Sequence, residues 1–141
     1  MQISERGLDL IRRFEGLKLD AYRCPAGVWT IGYGHAGPAV RSGMRISREE
    51  AEALLIADVL RFDGAVRRIA GPSSRGQHDA LVSFAFNLGL GALMSSTLLK
   101  KHKAGDHEGA AGQFGRWIHA GGRKLAGLEK RRAAEAALYL S

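Results

Sequence analysis

The segment Ala80-Leu81-Val82-Ser83-Phe84-Ala85-Phe86-Asn87-Leu88 is apolar on almost every side of a helix, and nothing else in the chain constrains the fold as strongly. A helix of that kind is stable only when other elements cover it all round, so it reads as the buried centre of a mainly helical domain. Its start lies in Ser74-Arg75-Gly76-Gln77, a capping box in which serine and glutamine satisfy each other's backbone amides, and Gly89 and Gly91 end it. Ser47-Arg48-Glu49-Glu50 opens an earlier helix in the same way. Leu54, Leu55, Val59, Phe62, Val66 and Ile69 form its apolar stripe, and Pro72 forbids its continuation. Ser4 caps a first helix, with Leu8, Ile11 and Phe14 at helical spacing, which stops at Glu15-Gly16. Shorter helices are expected around 98–103 and, from an Asp106 cap, around 110–117. The last helix is expected over roughly 125–140, with Leu128, Ala134 and Leu138 on one side.

Between Leu17 and His35 the texture changes. Short aromatic and β-branched runs such as Val28-Trp29-Thr30-Ile31 are punctuated by Cys24-Pro25-Ala26-Gly27 and by Gly32 and Gly34, which is hairpin chemistry. The fold class is therefore α+β, mainly α, in a single domain of two lobes spanning 1–141. A hairpin lobe covers about 15–46, a connecting helix about 47–70, and a helical lobe about 71–141 together with the N-terminal helix. A cleft between two such lobes is the expected place for a ligand.

A chain of 141 residues buries enough surface to fold without a disulfide lattice or a metal. The single cysteine, Cys24, cannot form an internal bridge, and no Cys/His pairs stand at zinc spacing, so neither a disulfide scaffold nor a zinc finger is expected. There is no apolar run of bilayer length and no signal-peptide pattern, which implies synthesis in the cytoplasm and no stable membrane insertion. The net charge of +7 is uneven: residues 1–70 carry 11 basic and 9 acidic side chains, residues 71–141 carry 10 and 5. That asymmetry points to a polyanionic partner for the C-terminal part. Nucleic acid is disfavoured, because the basic residues are scattered, Lys130-Arg131-Arg132 has no interleaved aromatics and no recognition helix stands out.

Glu15 is the first residue with chemical promise. At the C-terminal end of a helix the macrodipole is negative, so the carboxylate is disfavoured and the proton is held to higher pH, as a general acid requires. It opens the spacing Glu-x8-Cys-x5-Thr, formed by Glu15, Cys24 and Thr30 and flanked by Glu15-Gly16-Leu17 and by Trp29-Thr30-Ile31-Gly32-Tyr33-Gly34-His35. With these residues the sequence resembles the phage-type lysozymes, the endolysins, a family of glycoside hydrolases. Further likeness lies in Ala80 to Gly89, Ser96-Thr97-Leu98-Leu99, Arg116-Trp117 and Gly127 to Glu135, so recognisable pieces span nearly the whole chain.

The resemblance implies a lysozyme that cleaves peptidoglycan between N-acetylmuramic acid and N-acetylglucosamine, with inversion and without metal or organic cofactor. Glu15 is then the acid, and Cys24 and Thr30 position water across the scissile bond. Position 24 is aspartate in many members, and an ordinary thiol, unlike aspartate, is mostly neutral at pH 7. Three roles for Cys24 stay open: a thiolate activated by basic groups such as Arg23, a neutral orienter of water, or a passive small residue. Asp20 lies off the motif and reads as a solvated residue of the hairpin. The resemblance further assigns Ala36, Phe86, Thr97 and Gln113 to the saccharide groove, and brings Arg131 or Arg132 towards Glu15. Trp117 is read chiefly as core, with a place in the wall of the lower lobe as the alternative.

His35 is expected to be structural, its imidazole paired with Asp58, whereas His78, His102, His107 and His119 read as surface residues. The enzyme would be a monomer whose partner is peptidoglycan and which reaches the wall through a membrane pore, unless the chain is trimmed from a longer protein. The competing functions are an inactive peptidoglycan-binding protein and a lytic transglycosylase.

Overall fold

Both capping boxes form in the computed structural model, which describes residues 2–141. Ser47 and Glu50 exchange backbone-to-side-chain bonds of 3.0 Å at the start of α2 (Arg48–Ala70), and Ser74 and Gln77 do the same at 2.9 and 3.1 Å before α3 (Arg75–Leu88). Ahead of them come α1 (Glu5–Glu15), β1 (Lys18–Arg23) and β2 (Trp29–Gly32). After α3 come α4 (Leu90–Met94), α5 (Thr97–Lys103), α6 (His107–Gln113), β3 (His119–Ala120), β4 (Arg123–Lys124) and α7 (Ala126–Leu140). Helices dominate, with two small antiparallel sheets, so the class is α+β, mainly α. No helix among the described residues is long and apolar enough to cross a membrane. The chain divides into two compact units, Met1–Ile11 with Phe62–Ser141, and Arg12–Arg61.

In the larger unit α3 packs chiefly against α7. Leu81, Val82, Phe84 and Ala85 of α3 are fully buried, and Phe84 meets Phe114 and Trp117 edge-on at 5.8 and 5.4 Å. The packed face of α7 differs from the apolar one expected: Arg131, Arg132 and Glu135 are buried alongside Leu138 and Tyr139. Arg131 Nε donates to Glu135 Oε2 at 3.3 Å, and Arg132 Nε lies 2.8 Å from Glu135 Oε1. Arg132 Nη2 also donates to Asn87 Oδ1 at 2.7 Å, while Ser83 Oγ donates to Glu135. Charged groups survive in this interior because they are paired with one another and with the polar residues of α3. Lys130-Arg131-Arg132 is thus no exposed basic run.

Other expectations are also corrected in this unit. His78 and His102 are buried, not at the surface. His78 Nε2 pairs with Asp63, and His102 bridges Tyr139 Oη at 2.6 Å and Ser73 Oγ at 3.0 Å. Ser4 stands at the head of α1, but its N–H and hydroxyl go to Asp79. Gly91 lies inside the short α4 instead of terminating α3, which stops at Gly89. Asp106 caps α6 through the Gly109 N–H at 3.0 Å, but that helix stops at Gln113 and passes into a 3₁₀ turn over Phe114–Arg116. The β3–β4 hairpin was not foreseen; Gly121 and Gly122, both at positive φ, make its two-residue turn.

In the smaller unit β1 and β2 pair antiparallel, with Tyr22 opposite Thr30 and Arg23 opposite Trp29. The backbone at 44–46 extends this layer, Ala21 N–H donating to Met44 O and Ile46 N–H to Leu19 O. Ile31, Val40, Ile46 and Ala51 form the core beneath, with Leu17, Leu19, Trp29 and Leu54 packed against it. α1 ends at Gly16, whose φ of +73° is left-handed and turns the chain directly into β1.

Candidate active site

Glu15, Cys24 and Thr30 all fall within the Arg12–Arg61 unit. Glu15 is the last residue of α1 and is half-buried. Its carboxylate rests against the turn after β2: a Cβ built on Gly34 would stand 2.6 Å from Glu15 Oε1. Thr30, in β2, is buried, and its hydroxyl donates to Val28 O at 3.0 Å. Cys24 is partly exposed immediately after β1, with its N–H on Val28 O at 3.0 Å and its carbonyl accepting from Gly27 at 2.8 Å. The Cys24 thiol is held below its ordinary pKa by the backbone N–H groups of Val28 and Ala26, with a smaller contribution from the Thr30 hydroxyl. Arg23 is not the activating group; it stacks over the Trp29 ring at 5.1 Å. The turn backbone at 24–28 supplies the anion-stabilising dipoles that a basic side chain such as Arg23 would supply in the first of the three roles open to Cys24.

Tyr22 is a member of this cluster that the motif did not name. The register puts Tyr22 opposite Thr30, and Tyr22 lies near enough to Glu15 and Cys24 to feel their charges. Burial, then the nearby charges of Glu15 and Cys24, raise the Tyr22 hydroxyl above its ordinary pKa. The available signal was its position two residues before Cys24 in a strand.

Behind the cluster, His35 Nδ1 lies 2.7 Å from Asp58 Oδ2, and Arg61 donates to the other Asp58 oxygen at 2.6 Å. Asp20, exposed, pairs with Arg45 at 2.6 Å, a solvated contact of the hairpin. Ala36 is exposed immediately after His35. Phe86, Thr97 and Gln113 belong to the other unit. Phe86 is half-buried, edge-on to Phe62 at 5.6 Å; Thr97 is exposed at the first position of α5; Gln113 is half-buried at the end of α6. Arg131 and Arg132, expected near Glu15, are committed at least in part to the buried network with Ser83, Asn87 and Glu135. No group of three potential metal-ligating side chains occurs among the described residues.

The family profile described as Phage lysozyme matches residues 12–135, which include the whole cluster. This chain belongs to the phage lysozyme family. It is 46% identical to an endolysin of Acyrthosiphon pisum secondary endosymbiont phage 1, over 100% of this chain and 99% of that one. An endolysin of Bacillus phage B103 is also 46% identical over the full chain, but the match spans only 55% of that longer protein. Among solved structures, the muramidase domain of SpmX from Asticaccaulis excentricus superposes with a TM-score of 0.92 at 41% identity, covering 99% of this chain and 98% of that domain. The protein is a lysozyme, a glycoside hydrolase of the endolysin type whose substrate is peptidoglycan.

Proposed function

We propose that this lysozyme hydrolyses the β-1,4 bond between N-acetylmuramic acid and N-acetylglucosamine, and that bacterial lysis follows. The observation that carries the reading is the grouping, in one small unit, of a carboxyl at a helix end with an activated thiol and a threonine hydroxyl on the adjoining hairpin. Glu15 gives its proton to the glycosidic oxygen as the bond to the anomeric carbon breaks. Water attacks that carbon from the opposite face, and its proton passes to the Cys24 thiolate, which inverts the centre. Solvent then returns a proton to Glu15 and takes one from Cys24.

The lowered thiol pKa supports the thiolate among the three roles open to Cys24, because it raises the fraction of charged base at a given pH. Thr30 has one hydroxyl proton, given to Val28 O while the thiol is neutral and available to the sulfur once it ionises. Ala36, Phe86, Thr97 and Gln113 complete the reading as saccharide contacts, with an aromatic face and amide or hydroxyl groups suited to acetamido sugars. His35 and Asp58 serve it structurally by fixing the turn next to Glu15.

Product analysis on purified peptidoglycan tests this function. The expected products are reducing muramic acid ends, released as the inverted anomer. Anhydromuramic ends would assign a lytic transglycosylase, and no release at all a binding protein. Comparing Cys24→Asp with Cys24→Ser tests the thiolate: aspartate is expected to keep substantial activity and shift its pH dependence down, while serine loses activity at every pH.

A further inference from the structure

Gly34 is the glycine whose missing side chain leaves room for the Glu15 carboxylate. Its φ of +76° is left-handed, and the space a Cβ would take is occupied by the Glu15 carboxylate, 2.6 Å from Oε1 and 3.5 Å from Cδ. Four other glycines of the same unit show that this crowding is not general to left-handed positions. Gly16, Gly27 and Gly43, with φ of +73°, +81° and +83°, have nothing within 4 Å of a built Cβ, and Gly32 makes only ordinary contacts, the nearest at 3.5 Å.

The turn holding Gly34 is fixed from two sides. Ile31 and His35 exchange backbone bonds of 2.9 and 2.8 Å, closing a tight loop around Gly32, Tyr33 and Gly34. His35 is then tied to α2 through Asp58, itself held by Arg61. The loop backbone therefore has little freedom to retreat, whereas a glutamate side chain turns easily about its rotamers.

We propose that Gly34 is a positioning residue for Glu15: its bare Cα, in a turn locked to α2 by His35 and Asp58, is the seat that sets where the carboxyl points. A side chain at position 34 moves the carboxyl and leaves the unit folded. The inference rests on Glu15 being the acid for its effect on rate, and on contact geometry alone for its effect on the carboxyl.

The test compares Gly34→Ala with Gly43→Ala, which share the cost of a left-handed alanine while only the first meets Glu15. Comparable losses of thermal stability are expected in the two. Gly34→Ala is expected to lose about 10²-fold in kcat with KM nearly unchanged, the scale of a displaced catalytic group. Gly43→Ala should stay within about twofold of wild type, as strain remote from the chemistry predicts. Equal activities in the two folded variants would overturn the proposal.

Asparagine tolerates left-handed backbone better than alanine, so Gly34→Asn with Gly43→Asn repeats the comparison if alanine does not fold. Failure of both Gly34 variants to fold, while the Gly43 variants fold, would make Gly34 a folding residue and refute the positioning role. The ¹³C carboxyl resonance of Glu15 and its titration separate this inference from the reading beneath it. If Glu15→Gln retains activity but Gly34→Ala still shifts that resonance, the acid assignment fails and the seat stands. An unmoved resonance sinks the seat whatever the activity.

Discussion

The two units spend their polar groups differently. In the larger one, Asp63 with His78, Asp79 with Ser4, His102 with Tyr139 and Glu135 with two arginines are buried and paired with one another. In the smaller one, an apolar core of a few side chains carries a hairpin whose Cys24 remains partly exposed and whose Glu15 lies against a bare glycine. Buried charge in the first holds helices together; in the second, Asp58 is also buried and paired, but it ties down the turn beside Glu15, and Glu15 and Cys24 keep part of their surface in solvent. The largest loss of stability is therefore expected in the buried network of the larger unit, and the largest loss of rate in the cluster of the smaller one.

The largest stability effect is expected at Glu135. Burial raises its carboxyl pKa against the pull of Arg132 and Arg131, and Glu135→Ala strands two buried guanidinium groups without their shared anion. Loss of about 3–5 kcal/mol in urea unfolding is expected. Replacement costing less than 1 kcal/mol would mean that the network does not hold α7 to α3.

A smaller effect depends on pH. Burial, with the nearby His107, lowers the His102 pKa below its ordinary value. Ser73 Oγ can donate to Gly71 O and so accept from His102 Nε2, leaving Nδ1 to accept from Tyr139, an arrangement that suits the neutral ring. As pH falls below the unfolded value of about 6.5, the unfolded chain binds a proton that the native chain resists, and stability falls until the native pKa is passed. The urea midpoint should be lower at pH 5 than at pH 8, and His102→Gln should shrink that difference; an equal difference in the variant would contradict it.

Smallest are the caps. Ser47→Ala and Ser74→Ala should each cost about 1 kcal/mol, read in the same unfolding assay. They sharpen the comparison because one box lies in each unit. Neither is expected to change the rate per folded molecule, as a turbidity assay on matched folded protein would measure.

How much of this was legible in the sequence follows from the range of the interactions. Ser47-x-x-Glu50, Ser74-x-x-Gln77, Gly16 and Gly89 act within one turn of chain, and the elements they bound are found where the letters put them. The burial of Arg131 and Arg132 was not legible, since their partners Ser83 and Asn87 lie on another helix, although the spacing to Glu135 was already in the sequence. His78 and His102 were misread for the same reason, their partners being 15 or more residues away. At the site, Glu15, Cys24 and Thr30 fall close together in the chain, so the motif picks them out. The cause of the lowered Cys24 pKa was not legible, because N–H groups of a turn carry no letter of their own. Gly34 needed the fold, since its contact is with a residue on the helix before the hairpin.

The claim that Glu15, in the smaller unit, serves the chemistry and not the stability of the fold is tested most directly by Glu15→Gln, with reducing-end release and urea unfolding measured on one preparation. The account predicts a rate loss of about 10²–10⁴-fold, the contribution of a general acid, with a nearly unchanged unfolding midpoint. Release of reducing ends within a few-fold of wild type by the folded variant would contradict it.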